Sequence, residues 1–226
     1  MSGTHLEFGG LDEIRSWGWS ADQLAHEIDS FRHRTIKGLN EQCFIKKDFF
    51  GELLFENELS WKIIYDTPGN ILGFWQWVPL TPAGFEQSIQ GQICGERIVR
   101  SIVPEMEPGN WYDTYFFSLS ICPSIRKSMV AIRFSATIIQ SLIDLAKRNI
   151  FVNNMSMCFA SSYSMLMNKF FLQFDYSADH VVTGKIHKTH LPTFLKSTVM
   201  KISAGKNMKE LMQLYREATP PVAVML

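Results

Sequence analysis

Apolar residues keep helical spacing in three parts of the chain and cluster or alternate in others, and this pattern alone divides it into elements. Ser20-Ala21-Asp22-Gln23 precedes Leu24, Ile28 and Phe31. A Ser followed three positions later by Gln is a capping box, so a helix is predicted from there to about Gly38. Phe134, Ile138 and Leu142, with Ile139, Ile143 and Ala146 beside them, predict a long amphipathic helix from Val130 onward. Met208, Leu211, Met212 and Tyr215 predict a helix in the tail, ahead of the apolar segment Pro220 to Leu226. Trp61 to Tyr65 and Ile71 to Val78 read as strands joined by the turn Asp66-Thr67-Pro68-Gly69-Asn70, with Pro79 and Pro82 ending the second. Ala83 to Gln90 reads as a short helix and Gly91 to Ile102 as irregular or strand. Trp111 to Ile121 is the central strand, and Met155 to Ala160 is a strand on a core edge. Ser161 or Ser162 can cap a short helix to about Phe170, and Phe171 to Tyr176 with Val181 to Ile186 form a closing strand pair.

Composition narrows the class. With 226 residues, 46% of them apolar and 19% charged, the chain has the means for one sizeable core and is not globally disordered. The formal net charge of zero argues against a general nucleic-acid binder while leaving room for a local basic patch. The four cysteines, Cys43, Cys94, Cys122 and Cys158, show no C-x-x-C spacing. They imply a reducing, cytoplasmic location. The polar N-terminus gives no signal peptide, and no uninterrupted apolar run reaches membrane-spanning length.

The segment that carries chemistry is Pro123-Ser124-Ile125-Arg126-Lys127-Ser128-Met129-Val130-Ala131. It joins the central strand to the long helix. A strand delivered into a helix start offers backbone N–H groups and the positive end of a helix dipole, and Arg126 and Lys127 add two cations. That combination suits a pyrophosphate. The competing reading is a solvated strand–helix connection with two surface cations.

The order of strand, basic turn, long helix, strand and aromatic-rich strand resembles the acyl-CoA-binding half of the GNAT superfamily of N-acyltransferases. That family's turn has the form Arg/Gln-x-x-Gly-x-Gly/Ala, to which Arg126, Met129 and Ala131 correspond, with Met129 in place of glycine. Its later Gly-Phe pair corresponds to Lys169-Phe170-Phe171-Leu172, again without the glycine. Gly73 matches a glycine in the family's hairpin. The resemblance implies an α/β fold with a mixed, mostly antiparallel sheet and helices on both faces. It places a GNAT-like domain over residues 1–190 and a C-terminal helical extension over 191–226.

The implied activity is transfer of an acyl group, acetyl by preference, from coenzyme A to an amine by direct attack in a ternary complex. The implied co-substrate is acetyl-CoA or another acyl-CoA, with no metal. Ile121, Arg126, Lys127, Ser128, Met129, Val130 and Ala131 would hold it, with Ser118, Ser120 and the backbone near Ile121 facing the thioester carbonyl. A protonated amine cannot attack, so a base is required, and Glu96, Asp113 and Glu105 are the candidate carboxylates. The family's leaving-group acid is a tyrosine at the position of Met167, which cannot donate that proton; Tyr163 lies one turn earlier. The acceptor is a small-molecule or protein amine. An acyl-carrier protein as donor and a homodimer are compatible, whereas nucleic acid and a membrane span are not expected.

Two rivals remain. One is a non-catalytic binding module of the same fold, favoured by Met129, Phe171 and Met167 where the family has Gly, Gly and Tyr. The other draws its acyl group from an acyl-carrier protein, as homoserine-lactone synthases and toxin-activating acyltransferases do. His187 and His190 have a helical metal-pair spacing but no third ligand nearby. Trp61, Trp75, Trp77 and Trp111 read as core or pocket wall rather than as a base-stacking platform.

Overall fold

A computed structural model of the chain describes residues 6–35, 47–92, 96–159, 175–180, 184–196 and 205–218. The elements are β1 (Glu7–Gly9), α1 (Leu11–Ser16), α2 (Ala21–Thr35), α3 (Lys47–Glu56), β2 (Trp61–Tyr65), β3 (Ile71–Leu80), α4 (Pro82–Ile89), α5 (Glu96–Val99), β4 (Trp111–Ile121), α6 (Met129–Lys147), β5 (Phe151–Phe159), β6 (Asp175–His180), β7 (Gly184–His190), α7 (Leu191–Lys196) and α8 (Lys206–Glu217). The strand order is β1-β2-β3-β4-β5-β7-β6. The pairs β1–β2, β2–β3, β5–β7 and β6–β7 are antiparallel and β4–β5 is parallel. The expected mixed, mostly antiparallel sheet is therefore present. The chain forms two compact units, residues 1–77 with 117–138 and residues 78–116 with 139–226.

In the first unit the predicted capping box forms. Gln23 N–H donates to the Ser20 hydroxyl at 3.2 Å and Ser20 N–H donates to the Gln23 carboxamide at 2.9 Å. Leu24, Ile28 and Phe31 are buried as their spacing requires. α2 crosses α3 closely at Gly51, where a Cβ would run into the Ala21 carbonyl. Trp61 is in register with Gln76, so the two side chains leave the sheet on one face. The Trp61 indole N–H donates to the Leu54 carbonyl of α3 at 2.7 Å. Trp75, one residue from Gln76, points the other way and donates to Thr137 of α6 at 2.8 Å. Helices thus cover both faces of this part of the sheet. Trp61, Trp75 and Trp77 are fully buried, which settles them as core.

In the second unit several boundaries differ from the sequence reading. β3 runs through Pro79 to Leu80, because there Pro79 supplies only a carbonyl, accepting from Val103 N–H at 3.0 Å. Pro82 instead opens α4, capped by the Thr81 hydroxyl, which accepts from Gly84 N–H at 3.2 Å. Among the described residues of Gly91 to Ile102 are the short helix α5 and the bridge Leu80↔Ile102, in keeping with the irregular alternative. β5 starts at Phe151, four residues before the predicted Met155. Asn153 and Asn154 masked that start, and a register shift opposite Asp113 accommodates them.

β6 and β7 run on past the predicted ends of the closing pair, Tyr176 and Ile186, since β7 follows β5 from Lys185↔Phe159 to Asn154↔His190 through polar positions; residues 171–174 and 181–183 lie outside the described residues. His187 and His190 therefore sit on a strand at an odd spacing, one buried and one exposed, and not on a helix face. The predicted short helix from Ser161 to Phe170, with Tyr163 and Met167, lies outside the described residues, as do Lys169 to Leu172. In the tail, α8 buries Leu211, Met212 and Tyr215. Among the described residues one helix, α6, is long and apolar enough to cross a membrane by length and composition. Its Phe134, Leu142, Ile143, Leu145 and Ala146 are buried in the protein.

Candidate functional site

The predicted turn leaves β4 at Ile121 and enters α6 at Met129. Cys122 N–H donates to the Leu72 carbonyl at 2.8 Å, anchoring the exit of β4 against β3. The chain then makes three successive tight turns. Ile125 N–H donates to Cys122 at 3.1 Å, Ser128 N–H to Ile125 at 3.0 Å and Ala131 N–H to Ser128 at 3.2 Å. The Ser128 hydroxyl also turns inward, to the Ile125 carbonyl at 2.6 Å. The N–H groups of residues 125, 128 and 131 are thus committed to the turn itself.

Arg126 folds back on the strand it follows. Its Nε and Nη2 donate to the Ile121 carbonyl at 3.2 and 3.0 Å. The guanidinium is thereby held at the strand end while Arg126 remains exposed, as is Lys127. Met129 is 64% exposed, so it fills no interior space. From Thr114 to Ile143 the sequence holds Arg126, Lys127 and Arg133 and not one Asp or Glu. The turn is therefore a locally cationic feature of a neutral chain.

Ser118 and Ser120 are both buried, their hydroxyls 3.5 Å apart. Asp113 stands at the opposite end of β4 from Ser120. Its Oδ1 accepts from Asn153 Nδ2 at 3.2 Å, from Asn154 N–H at 3.2 Å and from Asn154 Nδ2 at 2.7 Å. One carboxylate oxygen thus holds the two residues that face Asp113 across the register shift. Glu96 opens α5, and Glu105 lies in the exposed loop before β4. The turn residues are brought together by the chain itself, whereas Asp113 is engaged with Asn153 and Asn154. The register of β4 with β5 ends at Phe116↔Met157, and β4 continues for Phe117 to Ile121.

Two polar residues in the first unit escaped the sequence reading. Gln76 is fully buried, and neither its amide nitrogen nor its oxygen has a hydrogen-bond partner. Arg32 is 5% exposed, with its guanidinium 5.3 Å from the centre of the Phe117 ring, which also meets Phe50 at 6.0 Å. The signals were present: Gln76 interrupts the apolar run Ile71 to Val78, and Arg32 lies one turn beyond Ile28 on the apolar stripe of α2. Among the described residues no group of three or more His, Cys, Asp or Glu side chains could hold a metal ion.

No protein-family model matches the chain. No curated protein matches it either. Solved structures of similar arrangement include GNAT-family acetyltransferases and GNAT-like domains. The NatC complex bound to Gag peptide and CoA is 13% identical, with 81% of this chain and 96% of that one covered at a TM-score of 0.48. The loading GNATL domain of CurA from Lyngbya majuscula is 9% identical over 70% of this chain and 67% of that one, at a TM-score of 0.47. The GNAT family N-acetyltransferase YhbS from Escherichia coli, in complex with CoA, is 11% identical over 84% of each chain at a TM-score of 0.42.

Proposed function

We propose that this chain transfers an acyl group from a pantetheine thioester of the coenzyme A type to an amine. The observation that carries the reading is the turn between β4 and α6. A strand end feeds a helix start through a segment that holds Arg126 and Lys127 and no carboxylate, with Arg126 fixed on the Ile121 carbonyl. That arrangement favours a phosphate near the strand end. The resemblance of the same segment to the GNAT turn supports the same donor.

In the reaction the amine nitrogen attacks the thioester carbonyl carbon. The C–N bond forms, the C–S bond breaks, the amine proton passes to a base, and the sulfur leaves as a thiol. Glu96 and Asp113 are the proposed bases. The three donors on Asp113 Oδ1 favour a structural part for it, which makes Glu96 the more informative residue to replace. Ser120, being buried, is proposed only to support the end of β4.

The non-catalytic reading keeps one specific observation in its favour, the commitment of three turn N–H groups to the turn itself. A thermal-shift titration separates the two. At a donor concentration one hundred times its Kd, mass action adds about 2.7 kcal/mol, a rise of about 5–11 °C for a chain of this size. Arg126→Glu should remove the rise and lower the unliganded melting temperature by only a few degrees, because the hydrogen bonds it loses to the Ile121 carbonyl are exposed. Absence of any shift with acetyl-CoA and with longer acyl-CoA would sink the acyl-transfer reading.

A further inference from the structure

We propose that the exposed face at the start of α6 docks an acidic carrier protein, which presents the acyl group as a thioester on a phosphate-linked pantetheine arm. The inference rests on the acyl-transfer reading above and names the partner that brings the donor.

Among the described residues the exposed large apolar side chains are Leu119, Met129 and Ile132, and the last two are 64% and 63% exposed. Met129 and Ile132 are three apart on one helix and so share a face. The exposed Ala136 extends that face by one turn, and the exposed Arg133 borders it. Arg126 and Lys127 stand in the turn just before it. Two apolar anchors flanked along the chain by three cations, in a stretch free of Asp and Glu from Thr114 to Ile143, complement an acidic surface with an apolar centre.

The alternatives fit less well. A second copy of the chain meeting this face through a two-fold axis would set the three cations against themselves. A helix lying in a lipid interface needs a wide apolar face, whereas the apolar positions beyond Ala136 on α6 are largely turned into the protein. The position of the face connects it with the donor. It begins in the turn proposed for the donor's phosphate. In that turn the N–H groups of residues 125, 128 and 131 are already engaged, and Met129 adds an exposed side chain beside them. Such a turn offers cations to a single phosphodiester more readily than a close backbone cradle to a nucleotide diphosphate. Contacts from the carrier's own surface would then supply the affinity that the nucleotide end would otherwise give. In the transfer the C–S bond to the carrier's arm breaks as the C–N bond to the amine forms. The carrier departs as the free thiol, and the amine's proton goes first to the base.

The test titrates the full chain with a purified phosphopantetheine-bearing acyl carrier protein and, separately, with coenzyme A, at low and high salt. The carrier should bind tighter than coenzyme A by a factor on the order of ten or more, and its binding should weaken as salt rises. Ile132→Glu and Arg133→Glu should each lose that advantage while binding coenzyme A and melting as the parent chain does. Equal affinity for both probes, or unchanged carrier binding in both variants, overturns the proposal. So does binding to anionic phosphatidylserine vesicles, or self-association, that Ile132→Glu abolishes in a chain with no affinity for the carrier. Carrier binding that depends on Ile132, with no acyl transfer from carrier or coenzyme A to any amine, upholds the docking and overturns the acyl-transfer reading. The two failures are thereby told apart.

Discussion

Replacing Tyr215 by Phe tests whether the C-terminal helix belongs to the core of the second unit. The Tyr215 hydroxyl accepts from Val152 N–H at 2.9 Å and donates to the Val152 carbonyl at 3.1 Å. Val152 lies on β5 before β7 begins to pair, at Asn154↔His190, so the hydroxyl occupies the place of a missing strand partner. The ring stays edge-on to Trp111 and Phe151 at 5.7 and 5.3 Å, contacts that Phe retains. The substitution removes the two hydrogen bonds and little else. Val152 is fully buried, so its N–H and C=O would be left unpaired. Each such group costs about 1–3 kcal/mol, and a carbonyl tolerates the loss better than an N–H. The expected destabilisation is therefore roughly 2–3 kcal/mol in urea unfolding, with the slope m unchanged. A change under about 0.5 kcal/mol, the usual range for an ordinary surface substitution, would refute the docking of α8 on β5. A fall in m would show instead that the helix had come away in the native state.

The remaining predictions concern the buried tyrosine of β2 and the carboxylate of β4. Burial, aided by the hydrogen bond to Glu7 at 2.9 Å, pushes the Tyr65 hydroxyl up from 10.0 to about 12. Its folded-state value lies above the unfolded one, so its contribution is complete below pH 10.0 and is lost as pH rises toward about 12. The stability difference between the parent chain and Tyr65→Phe should accordingly be flat below that window and shrink within it; a difference that grows there would contradict the sign. Asp113→Ala should cost about 1–3 kcal/mol by freeing the donors of Asn153 and Asn154. In an established acylation assay Asp113→Asn should lower turnover only a few-fold if the residue is structural, against a factor on the order of 10² for a general base.

The elements most legible in the sequence were those fixed by local chemistry. The capping box at Ser20, the hairpin around Gly69 and the run Trp111 to Ile121 each depend on residues within a few positions, and each stands where its pattern put it. The misplaced boundaries depended on partners far away in sequence. Asn153 and Asn154 look like loop residues until Asp113, some forty positions earlier, supplies their acceptor. Pro79 looks like a strand end until Val103 needs only its carbonyl. β7 extends through Lys188 and His190 because β5 continues beside it. The candidate turn was legible because strand, cations and helix start are consecutive. The commitment of its own N–H groups was not, since that depends on the dihedral path between Cys122 and Ala131. Gln76 and Arg32 were overlooked because periodicity treats a polar residue in an apolar stripe as noise, whereas burial makes it a feature.

The division into two compact units has a consequence for the order in which the protein is made. The first unit needs residues 1–77 and also 117–138, so its first segment emerges without the part of β4 and of α6 that complete it. The intervening stretch and the completing segment together add 61 residues, the difference between 138 and 77. At roughly 5–20 residues per second that is about 3–12 s of synthesis. Throughout that interval Trp75 has no Thr137 to receive its indole N–H, and the apolar face built by Ile64, Trp75 and Trp77 is incomplete. A nascent chain arrested between those points should therefore be bound by holdase chaperones and cut readily by protease. One arrested with Ile138 clear of the ribosome should protect the stretch from Trp61 to Trp77, whether or not the second unit has been made.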